Sequence, residues 1–349
     1  MIDVGLVGFG LAGRGFHAPV IQAVEGLRLA AVVQRTGDEA KRIYPDVRIV
    51  RSNEELLAIE TIRLAVIATP NQTHFPLAMR CLEAGRDVVV DKPFTNTVQE
   101  AVELVRAAKK VGRILTVYHD RRFDADFQGL RKLVGSGELG RIVRFEAHYD
   151  RFRPKLKPGA WREMPGPGSG VLADLGPHLL DYALTLFGAP ERVTADVRTE
   201  REGFLTDDAF DIWLHYPGSL MAVLGESMLS AVLRPRFVVM GTNGTYLKKE
   251  FDPLESVLRT RPGPGESWML EKPEDFGEVT QADGESVRKW KVESFGDWRD
   301  FYANVRDAIL GKAGLQVTPE QALRVMVGLE LVRESSEKRC SVAWREVTV

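Results

Sequence analysis

The sequence predicts an α/β chain in two parts: a doubly wound parallel sheet, then an α+β domain with an open, mostly antiparallel sheet. Three observations predict it. Apolar, β-rich runs alternate with amphipathic stretches in the first third, as parallel strands buried between helix layers require. A glycine-rich turn directly follows the first run. Beyond residue 120, strand-like runs follow one another with few helices between them, which suits hairpin-linked strands. A chain of 349 residues is long enough for two cores, and the change of pattern divides it into 1–120 and 121–349.

Taken in order, the runs of the first part are IDVGLV, LRLAAVVQR, VRIV, IRLAVIATP, RDVVVDKP and GRILTVYHD. Amphipathic stretches such as TVQEAVELVRAAKKVG separate most of them, and Ser52 with Glu55 forms a capping-box pattern before another. Thr73 is placed to cap a helix after the fourth strand. The second part reads as strands in RIVRFEAHYDRF, RVTADVRTER, DAFDIWLHY, SLMAVLGESML, PRFVVMGTNGTYLKK and SVRKWKVESF. Its helices are DFQGLRKLVGSG, the segment 171–188, DWRDFYANVRDAILG and TPEQALRVMVGLELVRESSEK. GTNGTY signals a hairpin turn. A sheet with one face open needs cover, so a homodimer or homotetramer through it is expected.

Composition narrows the function. A net charge of −2 argues against nucleic-acid or anionic-membrane binding. No apolar run approaches the roughly 20 residues that span a bilayer. The two cysteines, Cys81 and Cys340, make neither a metal-ligand spacing nor a disulfide framework, and a cytoplasmic location is expected. The histidines are scattered, so no metal site is expected.

Gly8, Gly10 and Gly13 match G-x-G-x-x-G between the first strand and a helix, the context that makes this motif informative. Gly8 suits the tight turn, Gly10 the approach of a pyrophosphate, and Gly13 close helix packing. Leu11 and Ala12 then lie at a helix start that favours phosphate. Where the second strand ends, an acidic residue would grip the ribose of NAD. This chain has Arg35 and Thr36 there, and an arginine suits the 2′-phosphate of NADP. NADP is therefore expected over NAD. Thr69, Pro70, Asn71 and His74 follow the fourth strand, where open α/β sheets bind ligands; they also read as a strand stop and a helix start. Asp91 and Lys92 leave the fifth strand at the same edge, as active-site groups or as a solvated strand end.

In VLADLGPHLLDYALTLFG, Asp174, His178 and Asp181 share one face of an apolar helix. Burying three ionisable groups requires pairing or use. One reading makes Asp174 a cap, Pro177 the first turn and His178 a core residue partnered by Asp181. The other makes them acid–base machinery.

GFGLAGRGFHAP, VVVDKPF and DLGPHLLD together resemble the glucose–fructose oxidoreductase / inositol dehydrogenase / MocA family over essentially the whole chain. VYHDRRFDADF, YDRFRP, WRE and GPGSG look most like its NADP-dependent scyllo-inositol dehydrogenase branch. Asp91-Lys92-Pro93 stands where the family usually has Glu-Lys-Pro. The resemblance implies a Rossmann domain and catalytic roles for Lys92, Asp174 and His178. It implies hydride transfer between NADP(H) and a secondary alcohol or ketone of a cyclic polyol or sugar. Tyr118, His119, Arg122, Asp150, Arg153, Trp161 and Arg162, with His178, are the candidates for holding such a substrate. An anhydro- or keto-sugar reductase and a non-catalytic NADP-binding sensor are the rival readings.

Overall fold

The computed structural model describes residues 1–156, 163–260, 268–282 and 284–349. Six parallel strands form the first sheet: β1 (Ile2–Val7), β2 (Leu27–Val33), β3 (Arg48–Val50), β4 (Ile62–Ile67), β5 (Asp87–Val90) and β6 (Leu115–Val117). Their order is β3-β2-β1-β4-β5-β6. β1 and β5 are buried along their whole length, which is why they read as unbroken apolar runs. The order reverses between β1 and β4, where Val7 pairs with Val33 on one side and Ile67 on the other. A crevice opens at such a switch point, beyond the carboxyl ends of the strands.

A π-helical turn, Gly13–His17, leads into α1 (Ala18–Gln22). Helices α2 (Glu39–Ile43), α3 (Asn53–Leu57), α4 (His74–Glu83) and α5 (Val98–Val111) follow. Ser52 caps α3 by accepting from Glu55 N, while the Glu55 carboxylate takes Arg51 N. Thr97 and Glu100 make the full reciprocal box on α5. Thr73 does not cap α4; its hydroxyl turns back to Pro70 O.

The second sheet has nine strands: β7 (Ile142–His148), β8 (Arg192–Arg198), β9 (Ala209–His215), β10 (Met221–Ser227), β11 (Phe237–Gly241), β12 (Gly244–Lys248), β13 (Glu278–Ala282), β14 (Val287–Lys291) and β15 (Val342–Ala343). Their order is β14-β13-β12-β11-β7-β10-β9-β8-β15. Only the β7–β10 pair is parallel, so the sheet is mixed but mostly antiparallel. The expected hairpin turn joins paired Gly241 and Gly244. The sequence pattern missed β13, a polar strand, and β15, a two-residue pairing.

Helices α6 (Ala125–Ser136), α7 (Val171–Phe187), α8 (Leu254–Leu258), α9 (Arg299–Ile309) and α10 (Pro319–Lys338) complete the chain. α7 and α10 pack together on the second sheet. α10 also reaches α5 and β6, where Thr116 Oγ1 donates to Val317 O at 2.7 Å. Phe301, Tyr302 and Val305 of α9 join Val4, Leu6 and Leu29 of the first sheet in one apolar cluster. The two sheets are thus locked by helices from the end of the chain, and a cleft lies between them.

Candidate functional site: an interdomain cleft

One wall of the cleft is backbone. Gly8 has φ +102°, and a Cβ there would lie 2.5 Å from Ala68 O. A Cβ on Gly13 would lie 2.1 Å from Gly8 O. Both positions are glycine for reasons internal to the chain. Gly10 differs, because an added Cβ would meet nothing within 4 Å. Its smallness serves an approach from outside, as a bound pyrophosphate requires. Arg14 N donates to Gly10 O at 2.9 Å, so the amides of the preceding turn lack intrahelical acceptors and suit an anion. Gly10, Leu11 and Ala12 border the cleft together with Thr69, Pro70 and Asn71. The residues present therefore fit a dinucleotide.

Arg35 and Thr36 are exposed beyond β2. Arg51, which the sequence reading did not single out, braces this turn by donating to Gln34 O and Gly37 O. His74 is fully buried and does not border the cleft. Its ring nitrogens sit 2.9 and 2.8 Å from Thr69 O and Pro93 O, tying together the loops after β4 and β5.

The opposite wall is built from side chains. α7 begins at Val171, three residues before Asp174. Its start is held by Asp207, which accepts Leu172 N at 2.7 Å and Val171 N at 3.0 Å. The structural reading of Asp174 as the cap is therefore replaced: Asp174 lies in the first turn, and Pro177 lies inside the helix. Gly170, at φ +87°, lets the loop pass Asp207, where a Cβ would come within 2.2 Å of the carboxylate. Freed from capping, Asp174 meets Lys92. The ammonium donates to Asp174 Oδ1 at 2.9 Å and to Asp174 O at 2.6 Å. A strand end and a helix 82 residues apart in sequence are joined there.

His178 lies one turn further along α7, stacked on Tyr149 with centroids 6.1 Å apart. It is 5% exposed, and Nδ1 has no hydrogen-bond partner among the described residues. Burial, then the charges of Lys92 and Arg121, hold its pKa well below the usual histidine range, so the imidazole is neutral. Asp91 also borders the cleft. Its Oδ1 accepts Lys92 N, and His17 faces Oδ2 at 3.8 Å. Burial opposes its charge, but His17 and Lys92 outweigh it and keep the carboxyl below its usual range. Tyr118 forms wall rather than hydrogen-bonding edge, since its hydroxyl donates to Phe16 O at 2.9 Å.

Several substrate candidates are brought elsewhere. His119 is buried beneath the cleft, 3.9 Å from Asp181 and without a hydrogen bond on either nitrogen among the described residues. Asp181 belongs to its helix: Arg122 donates to both carboxylate oxygens at 2.6 Å and to Gln316 O and Gln321 on the far side. Asp150 is bound by Arg234 at 2.6 and 2.8 Å and faces away from the cleft. Trp161 and Arg162 lie outside the described residues. Arg153 does border the cleft, and so do Tyr149 and Arg151, which the sequence reading passed over. The signal was available: side chains alternate along an extended chain, so YDRFR sets Tyr149, Arg151 and Arg153 against Asp150. Arg121, Arg201 and Arg259 were also missed; distant segments bring them in.

Comparison with known proteins agrees with this geometry. Residues 2–119 match the oxidoreductase family with an NAD-binding Rossmann fold, and residues 127–247 match the GFO/IDH/MocA C-terminal domain. The chain is 42% identical to the uncharacterized oxidoreductase YdgJ of Escherichia coli K12, covering 98% of each protein. It is 34% identical to the scyllo-inositol 2-dehydrogenase (NADP(+)) IolW of Bacillus subtilis 168, covering 98% of this chain and 95% of that one. Among solved structures it superposes on oxidoreductase yvaA from Bacillus subtilis with TM-score 0.94 at 34% identity, covering 99% of this chain and 98% of that one. It matches YPO2259 from Yersinia pestis with TM-score 0.92 at 38% identity, with the same coverage. The chain therefore belongs to the GFO/IDH/MocA family of oxidoreductases, with an NAD(P)-binding Rossmann domain at residues 2–119.

Proposed function

We propose that this chain is an NADP(H)-dependent dehydrogenase/reductase acting on the secondary alcohol or ketone of a cyclic polyol or sugar, with residues 1–120 carrying the cofactor and 121–349 the substrate. The observation that carries this reading is the meeting of Lys92, Asp174 and His178 opposite Gly10. The nicotinamide, when bound, supplies the hydride exchange. Lys92 is the donor to the substrate oxygen, stabilising the charge that develops there. Asp174 holds the ammonium in place. His178 is neutral, so in the oxidative direction it can accept the hydroxyl proton, and in the reverse direction it returns it. Arg35 and Thr36 face the 2′-phosphate. The name of the Bacillus subtilis relative, an NADP(+) enzyme of scyllo-inositol, supports both the cofactor and the substrate class. α7 and α10 cover one face of the nine-stranded sheet, and a homodimer or homotetramer through its other face follows.

Nicotinamide absorbance with inositols, aldoses and ketoses tests the reading. Turnover with at least one member is expected. Tight NADP binding without turnover on any member would overturn it in favour of a sensor. Arg35→Ala should weaken NADP about tenfold and NAD little, in line with one lost charge-assisted contact. Equal losses would remove the cofactor assignment.

A further inference from the structure

Among the described residues, the ion pairs on the substrate side of the cleft leave two arginines out. Lys92 is paired with Asp174, Arg121 with Asp124 and Glu255, and Arg201 with Asp208 and Glu163. Arg259 shares Glu255 with Arg121. Arg151 and Arg153 also face the cleft, and neither has a carboxylate partner among the described residues. The segment 157–162, KPGAWR, contributes no carboxylate in its sequence. Glu226 lies near Arg151 but does not neutralise it. Its side chain is fully buried, neither oxygen has a hydrogen-bond partner among the described residues, and burial pushes its pKa up to about 9. Asp150, the residue just before Arg151, is committed to Arg234 on the other side of the strand. Burial and the like charges of Arg151 and Arg259 pull the Arg153 pKa down, against the opposing pull of the Asp174 and Glu163 carboxylates. Clustered guanidiniums beside a cleft repel one another unless an anion comes between them.

We propose that Arg151 and Arg153 form an oxyanion subsite, so that the substrate is an acidic sugar or polyol carrying a carboxylate or phosphate beside its reacting carbinol. This rests on the reading of the cleft as a sugar or polyol oxidoreductase site. Guanidinium forks recognise both oxyanions with two parallel hydrogen bonds. The other anion at hand is the cofactor diphosphate. Its backbone donors, in the turn Gly10–Ala12, lie on the opposite wall, which leaves Arg151 and Arg153 to the substrate.

Two measurements test this on the full chain. The first compares kcat/KM for gluconate, glucuronate, galacturonate and glucose 6-phosphate with that for glucose, galactose and myo-inositol. The best anionic sugar should exceed its neutral counterpart by roughly tenfold or more, the scale of one or two charged hydrogen bonds. In the double variant Arg151→Gln/Arg153→Gln the preference should fall to within threefold. A neutral sugar used equally well by the wild type, or a preference that survives in the variant, overturns the subsite while leaving the oxidoreductase reading intact. The second measures binding of the same sugars and of NADPH by calorimetry, independently of turnover. The variant should lose affinity for the acidic sugars and keep NADPH within threefold. Loss of NADPH with acidic sugars unaffected would assign the arginines to the cofactor diphosphate and overturn the proposal. Binding of acidic sugars without turnover of any sugar would support the subsite and remove the reading of the reaction.

Discussion

The two walls of the cleft are made by different physics. The nucleotide wall is backbone: a turn whose Gly8 and Gly13 are fixed by contacts of 2.5 Å or less that a Cβ would make, leaving amides pointed outward. The facing wall, to which we assign the substrate, is side chains held by other side chains, drawn from the end of β5, the segment before α6, the run after β7, and α7 and α8. A backbone wall depends on one short turn braced by the neighbouring strand end, with Gly13 against Gly8 O and Gly8 against Ala68 O. A side-chain wall depends on pairs such as Lys92–Asp174, 82 residues apart, and Arg122–Asp181, 59 residues apart. The first tolerates change at its outer atoms and fails abruptly at its glycines; the second can lose one function at a time.

The largest effect that would sharpen this contrast is chemical. Lys92→Met should lower kcat by about a thousandfold, within the range for losing a positioned donor, and leave NADPH affinity nearly unchanged. Substantial activity in a fluorescence-validated holoenzyme would break the assignment of chemistry to the side-chain wall.

Next comes the support beneath that wall. Arg122→Met leaves Asp181 buried without its partner and should cost about 3–5 kcal/mol of stability, read by denaturant unfolding. Burial disfavours the Asp181 charge, and the Arg122 guanidinium foremost restores it. A cost below 1 kcal/mol would mean that the pair is dispensable.

The glycines distinguish the two kinds of constraint within one turn. Gly13→Ala should lower the melting temperature, because its Cβ would collide with Gly8 O. Gly10→Ala should leave melting of the apo protein unchanged and weaken NADPH about ten- to hundredfold, because only the ligand approaches there. Equal melting losses at both positions would erase the distinction.

The smallest effect is a slope. Burial, with Arg122 and Lys92, lowers the His119 pKa to about 4 against the opposing pull of Asp181. His178 is lowered too, by burial first and then by Lys92. A histidine with a depressed folded-state pKa binds fewer protons folded than unfolded. Stability is therefore complete above the unfolded pKa of about 6.5 and falls as pH drops toward 4, by on the order of 3 kcal/mol for His119. Melting at pH 7.5 and pH 5 checks the sign, and His119→Asn should flatten the slope. Stability that rises on acidification in this window would contradict the buried neutral imidazoles.

How much was legible follows the same division. The parallel sheet, the glycine turn, the Thr242–Asn243 hairpin and the long helices were readable, because each rests on a period or a turn within a short window. The roles assigned to Lys92, Asp174 and His178 come from a family resemblance; taken alone, the local pattern of the 171–188 segment favours a cap and a core histidine. Asp150 was chosen and Arg151 overlooked although alternation separates them by face. His119 and Asp150 showed the right chemistry and the wrong direction, since which side of a strand faces a cleft is settled only by what packs on the other side.

By itself the sequence determined the two-part α/β architecture, the dinucleotide turn and the strand-end lysine, because hydrophobic period and backbone sterics act between neighbours. The tertiary structure alone decided that Asp207 caps α7 and so frees Asp174 for Lys92. It decided that Asp181 belongs to Arg122, and that Arg151 and Arg153 face the cleft without an ion-pair partner among the described residues. Those outcomes depend on which distant partner lies within reach of each group, and that is set by how the helices pack the two sheets together.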